Sequence, residues 1–171
     1  LEIAVSPEDD AEVRRVSLTN RGDRPCEIEL TSYVELALGT VAEDAAHPAF
    51  GKLFVETEWV PECAALLARR RPRSPFEPSL HAFHVLSIDG RSQGQVEFET
   101  DRMRFLGRGR GPDDPLALDG RALSGTTGAV LDPVLSLRTR VRLAPGALAR
   151  LSFTTGVAAD RSAAGALARK Y

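Results

Sequence analysis

The residue types best suited to chemistry cluster in one short stretch. Arg102, Arg104, Arg108 and Arg110 sit among Gly107, Gly109 and Gly111. Arginine presents a planar fork of donors that matches carboxylates, phosphates and sugar hydroxyls. Glycine lets the backbone come close to whatever is held. The stretch therefore reads as an anion or glycan contact, or as a loop that docks one domain on another. The plainer reading is a surface loop whose arginines pair with Asp101, Asp113 and Asp114. It is not a P-loop, because the glycine spacing differs and no Lys-Ser or Lys-Thr follows. It is also too short for an RNA-binding Arg-Gly tract.

Other candidates carry a plain alternative beside the chemical one. On a strand, His81 and His84 point to opposite faces, so they cannot share a metal, and His47 stands apart; no metal site and no cofactor is expected. Glu97 and Glu99 share a strand face, as do Glu56 and Glu58. Carboxylate pairs can run glycoside hydrolysis, but alternating carboxylates more often form the wet face of a strand. Ser124-Gly125-Thr126-Thr127-Gly128 lacks the Gly-x-Ser-x-Gly pattern of a nucleophile elbow and reads as a flexible turn. Arg21-Gly22-Asp23 matches an adhesion tripeptide but falls in a turn. Tyr33, Phe54, Trp59, Phe76 and Phe83 could form a sugar-stacking platform; the core is their more ordinary home. Cys26 and Cys63 allow one bridge at most and read as two thiols of a reducing compartment. No convincing catalytic set emerges, and no catalytic residue is assigned.

The elements that must position these groups are mostly strands. Residues 12–20 and 26–36 alternate, with Asn20-Arg21-Gly22-Asp23-Arg24-Pro25 between them as a turn, and together predict an antiparallel hairpin. A shift of apolar phase near Tyr33-Val34 predicts a bulge or bend. Residues 54–60 and 64–69 flank a Pro61-Glu62 turn, and a Pro-rich stretch follows over 71–78. Residues 81–88 and 95–100 predict a second hairpin about Asp89-Gly90. Residues 134–143 and 148–157 predict a third, in which Arg138, Arg140 and Arg142 mark a solvated face. Residues 45–50 hold at most one short helical turn, interrupted by Pro48. A helix begins at Asp160, a good cap followed by alanines. The fold class is all-β: an antiparallel sandwich with a short C-terminal helix.

With 171 residues, the chain is one domain of ordinary size. A hydrophobic fraction of 43% and a charged fraction of 27% exclude a disordered chain. The formal net charge of −2 argues against nucleic acid as a partner. No apolar run approaches the ~18 residues of a membrane-spanning helix, so direct membrane insertion is not expected. Leu1–Val5 leads straight into Ser6-Pro7-Glu8 and does not read as a signal peptide. With Met103 its sole methionine, the chain is expected to be a piece of something longer.

Several segments, in order, resemble a known family. They are Leu30-Thr31-Ser32-Tyr33; residues 45–58, with Ala45-Ala46-His47-Pro48-Ala49-Phe50-Gly51; residues 68–75, with Arg69-Arg70-Arg71-Pro72; Glu99-Thr100-Asp101-Arg102; Arg104-Phe105-Leu106-Gly107-Arg108; and Leu123-Ser124-Gly125 through Leu131-Asp132-Pro133. The set resembles the β-supersandwich region of glycoside-hydrolase family ninety-four, formerly glycosyltransferase family thirty-six, and within it the cyclic β-1,2-glucan synthases.

The resemblance covers residues 12–157 or so. It implies a sandwich module ahead of a helical linker and an (α/α)₆ catalytic barrel, in enzymes that cleave or shorten β-glucosidic chains by inverting phosphorolysis. On that footing residues 1–159 are expected to form a sandwich truncated at its N-terminus, and 160–171 to begin the linker. The module itself would not be catalytic. Its implied partners are the barrel of the same chain, a β-glucan and a second copy, and its implied location is the cytoplasm, within an inner-membrane protein. Arg102, Arg104, Arg108 and Arg110 are the expected docking or glycan-facing residues. The alternatives are an independent carbohydrate-binding module and a self-contained hydrolase using Glu97 and Glu99.

Overall fold

A computed structural model describes residues 1–72, 74, 77 and 79–171. In chain order the strands and helices are β1 (Glu2–Val5), β2 (Ala11–Thr19), β3 (Cys26–Thr31), β4 (Val34–Glu35), α1 (Val41–Ala46), α2 (Pro48–Lys52), β5 (Val55–Val60), β6 (Ala65–Arg70), β7 (His81–Asp89), β8 (Ser92–Asp101), α3 (Arg102–Leu106), β9 (Gly128–Ala129), β10 (Pro133–Leu143), β11 (Leu148–Ala158) and α4 (Arg161–Lys170). The larger sheet runs β1-β2-β11-β7-β6-β5-β9. The smaller is centred on β10, with β3 and β4 on one edge and β8 on the other. All the pairings are antiparallel. The antiparallel sandwich is as the alternation predicts.

The core lies between the sheets. Leu66, Leu151 and Val55 from the larger sheet meet Leu135, Leu137 and Val141 of β10, all fully buried. Trp59 stacks on Phe98 across the gap, ring centroids 4.3 Å apart. On the outer face of the larger sheet, Ala164 and Ala168 of α4 pack against Phe83, Val85 and Leu67. Asp160 caps this helix by accepting from the Ala163 amide at 2.8 Å. Lys170 and Tyr171 at its far end reach Asp9 at 2.6 and 2.7 Å and hold its carboxyl below the usual range. The outer face of the smaller sheet is covered by α3 and the loop after it, through Phe105, Leu106 and Ala117.

Only one of the four expected strand pairs is a hairpin. β5 and β6 pair from Val55↔Arg70 to Val60↔Ala65, with Ala64 in the left-handed region at the turn. The others cross between sheets. β2 pairs β1 and β11, whereas β3 pairs β10; β7 and β8 part in the same way, as do β10 and β11. The reason is the core. Val16 and Leu18, like Ile28 and Leu30, must face one apolar interior, and placing the two strands in opposite sheets buries both sets at once. Buried Asn20 makes the first crossing possible. Its Nδ2 donates to Arg24 O (2.7 Å) and Leu143 O (3.0 Å), and its Oδ1 accepts from Gly22 N (2.9 Å). At the second crossing Gly90 is required, since φ is +151° and a Cβ would lie 2.9 Å from that of Ala149.

Residues 41–52 fold as two short helices rather than a single turn. Thr40 and Glu43 form a capping box at α1, and Pro48 opens α2 at its first position instead of interrupting a helix.

Candidate functional site

Arg102 begins α3 directly after β8. Asp101 caps this five-residue helix, accepting from the amides of Met103 (2.9 Å) and Arg104 (3.3 Å). Arg102 turns inward: Nε donates to Glu35 Oε1 (2.9 Å) and Tyr33 Oη (3.1 Å), and the guanidinium lies 3.5 Å from Asp132. Asp132 also holds Lys52 at 2.7 Å. The Tyr33 hydroxyl donates to Glu35 at 2.6 Å, and this bond, with Arg102, keeps the Glu35 carboxyl low. Burial, then the Glu35 bond, push the Tyr33 phenol up to about 12.

The other three arginines differ among themselves. Arg110 grips its own loop, bonding Asp114 at 2.7 Å and Asp119 at 2.5 and 2.9 Å. Its guanidinium draws the Asp119 carboxyl down. Arg104 is exposed, 3.7 Å from Asp101. Arg108 is exposed and makes no hydrogen bond or ion pair among the described residues. The expected pairing therefore holds for Asp101 and Asp114, while Asp119 rather than Asp113 completes the set. The structure does not gather the four arginines into one pocket. Two are held internally, and two are presented to solvent from a shaped platform.

Three groups beneath pin that platform; the sequence offered the carboxylates as candidates for chemistry and placed Arg138 only on a solvated face. Glu99, 2% exposed, accepts from the amides of Thr100 (2.9 Å) and Asp101 (3.0 Å) with one oxygen. With the other it accepts from the amide and hydroxyl of Ser124, at 3.2 and 2.5 Å. Glu97 accepts from the Leu123 amide at 2.9 Å. Arg138, 1% exposed, donates to Thr31 Oγ1 (3.0 Å), Arg121 O (2.6 Å) and Ala117 O, and lies near Glu29 and Glu97. Glu97 and Glu99 thus face a folded loop, not open water and not a sugar site. The Ser124–Gly128 segment is pinned rather than flexible, since Gly125 N also donates to Phe98 O at 3.0 Å. Arg138 is buried instead of solvated, because the loop folds over β10; Arg140 and Arg142 stay exposed. A run of Asp, Gly and Leu after the arginines was the available signal that this loop carries apolar anchors of its own.

Elsewhere the plain readings prevail. His81 and His84 lie on opposite faces of β7. His84 is sealed between the sheets, Nε2 at 2.8 Å from Ser32 Oγ and Nδ1 at 2.8 Å from Thr155 Oγ1. Burial lowers its pKa to about 4. His81 packs near the start of α4, and burial lowers its pKa as well. No cluster of metal-ligating residues occurs among the described residues. Glu56 pairs with Arg69 at 2.8 Å, and Glu58 with Arg161. The described aromatics do not form a platform: Trp59 stacks on Phe98, Tyr33 on Phe105, Phe54 meets Phe50 edge-on, and Phe83 is fully buried under α4. Phe76 lies outside the described residues. Arg21-Gly22-Asp23 is the crossing turn held by Asn20. Cys26 and Cys63 are free thiols, and no helix among the described residues is long and apolar enough to cross a membrane.

One groove adjoins the arginine platform, since Tyr33 and Glu35, the partners of Arg102, help to line it. It has a volume of about 780 Å³ and lies where the larger sheet extends past the smaller, between the inner face of β1–β2 and the β3–β4 segment. Leu1, Val5 and Val16 line one side and Leu30, Val34 and Leu36 the other.

Comparison with known proteins places this geometry. The chain is 41% identical to the cyclic beta-(1,2)-glucan synthase NdvB of Rhizobium meliloti (strain 1021) over 162 residues, which is 94% of this chain and 6% of that protein. The family described as glycosyl hydrolase 94, supersandwich domain, matches residues 1–171. With an antiparallel sandwich to match, the chain belongs to the supersandwich-domain family of glycosyl hydrolase 94.

Proposed function

We propose that this chain is a non-catalytic module of a larger carbohydrate-active enzyme of the cyclic β-1,2-glucan synthase kind. Its task is to pack against the (α/α)₆ catalytic domain and so shape substrate access or assembly. Residues 1–159 form the sandwich and residues 160–171 lead toward the linker. The parent protein works in the cytoplasm as part of an inner-membrane enzyme, where β-glucan and a second copy of the chain are its further partners.

The observation that supports this reading is the platform after β8. A long connection is fixed from below by Glu97, Glu99 and Arg138, yet it directs Arg104 and Arg108 outward, with no ion-pair partner for Arg108 among the described residues. A surface ordered before contact loses less entropy on binding. Arg102 and Arg110 hold its shape, and Arg104 and Arg108 supply the contact. The test is charge reversal, Arg104→Glu with Arg108→Glu, in the full-length enzyme. The expected result is loss of protease resistance between this module and the rest of the chain, with lowered glucan synthesis and an unchanged melting temperature of the isolated module. Wild-type activity and assembly would sink the reading.

A further inference from the structure

A second pocket lies on the outer face of the larger sheet, beside the first residue of α4. Its volume of about 430 Å³ falls within the roughly 300–1,000 Å³ of small-molecule sites. The strand register builds its floor. His81 of β7 stands opposite Arg69 of β6, Arg69 opposite Glu56 of β5, and Glu56 opposite Ala129 of the edge strand β9. Glu58 shares the face of Glu56 by alternation, and Arg161 of α4 reaches across to it.

These groups are fixed in place yet keep hydrogen-bonding capacity. Arg69 spends Nε and Nη2 on Glu56, at 3.0 and 2.8 Å, and Arg161 spends the same two nitrogens on Glu58. Nη1 of each makes no hydrogen bond among the described residues, and both side chains are exposed. His81 is only 9% exposed, and its Nδ1 is buried without a hydrogen-bond partner. Nothing in the fold explains that orphaned nitrogen, which carries a desolvation cost. Burial, then the Arg69 charge, hold the His81 pKa below its ordinary value, so the ring is neutral and offers one donor and one acceptor.

The charges cancel. Glu56 and Glu58 answer Arg69 and Arg161, and Arg71, 3.2 Å from Glu56, is offset by Asp160. The amide end of α4 is not open to an anion, because Asp160 already caps it. What remains is a set of donors and acceptors side by side with no net field. That suits an uncharged ligand whose neighbouring hydroxyls each donate and accept. We propose that this pocket binds one pyranose unit of a glucan, each Glu–Arg pair taking hydroxyls and His81 lining the seat. It lies on the opposite side of the sandwich from the arginine platform, which covers the smaller sheet. The proposal rests on the reading above in which β-glucan is a partner of the module.

Titration of this chain with linear β-1,2-glucotetraose tests it, followed by calorimetry and by NMR of the histidine rings. The expected result is saturable binding with a Kd of about 1 mM or tighter. The His81 ring signals should move, while those of His84, sealed between the sheets, stay still. Arg69→Ala and Arg161→Ala should each weaken binding at least about tenfold. Both break exposed ion pairs, so the melting temperature should hold. No binding at about 10 mM overturns the proposal. Binding that survives both substitutions overturns it too, by placing the sugar elsewhere, as does a preference for inorganic phosphate over the tetraose. If charge reversal at Arg104 and Arg108 loosens docking while this chain ignores the tetraose, the proposed function stands and this inference falls. Binding that survives that reversal and is lost with Arg161→Ala supports the pocket, whatever the docking result.

Discussion

Arg138 and Arg108 carry the same guanidinium, and both belong to arginine-rich segments, yet their surroundings are opposite. Arg138 is 1% exposed and spends its donors on Thr31 and on the carbonyls of Ala117 and Arg121. Arg108 faces water with none of its donors engaged by the described residues. Alternation along β10 marks Arg138 as facing away from the core, which is correct. Whether that outer face is wet depends on what folds over it. A cation that orders a loop and a cation that the loop displays are thus told apart by the third layer, not by the strand pattern.

Substitutions that sharpen this contrast should differ widely in cost. Arg138→Met leaves the carbonyls of Ala117 and Arg121 and the Glu97 carboxylate without their cation, while Glu29 keeps Arg140, and is expected to destabilise the chain by about 3–5 kcal/mol in urea unfolding. Next comes His84, the buried neutral group of the other region. Its folded pKa, about 4, lies below that of the unfolded chain, so its contribution is complete above about pH 6.5 and is lost as pH falls toward 4. The expected loss is about 3 kcal/mol between those limits. Replacing it with Gln should flatten the pH dependence of the melting temperature over that window; an unchanged slope would show that other groups carry it.

Glu99→Ala strips the acceptor from three amides and a hydroxyl, with an expected cost of about 1–3 kcal/mol and faster proteolysis near Ser124. Arg102→Ala breaks a partly exposed pair with Glu35 and should cost about 1 kcal/mol. Arg108→Ala should stay within about 0.5 kcal/mol of wild type. Calorimetry on the set checks the order. If Arg108→Ala proved as costly as Arg138→Met, the division between ordering and displayed cations would collapse.

The longer strands, the C-terminal helix and the sandwich class were legible in the sequence, because period-two alternation and the Asp160 cap are local signals; the short strands β1 and β9 were not. Partners were not. Asp89-Gly90 is a good two-residue hairpin signal, yet β7 and β8 separate, since Phe83 and Val85 must lie under α4 while Phe98 must meet Trp59 from the opposite sheet. Likewise the α1 capping box was present in Thr40 and Glu43 but lay ahead of the alanines that drew attention. In the candidate site, the arginines and the carboxylates were visible as residue types. The burial of Glu99 was not, because it depends on Ser124 folding back across a loop.

The crossings also set a timetable for synthesis. The contact of Thr31 with Arg138 spans 107 residues, and β10 is the strand on which the whole smaller sheet depends. At translation rates of roughly 5–20 residues per second, β3 waits on the order of 5–20 s for its partner to appear. Meanwhile β5, β6 and β7 can join as near neighbours. The nascent chain therefore shows Ile28 and Leu30 to the cell well before it can hide them, and chaperone demand should fall on this segment first.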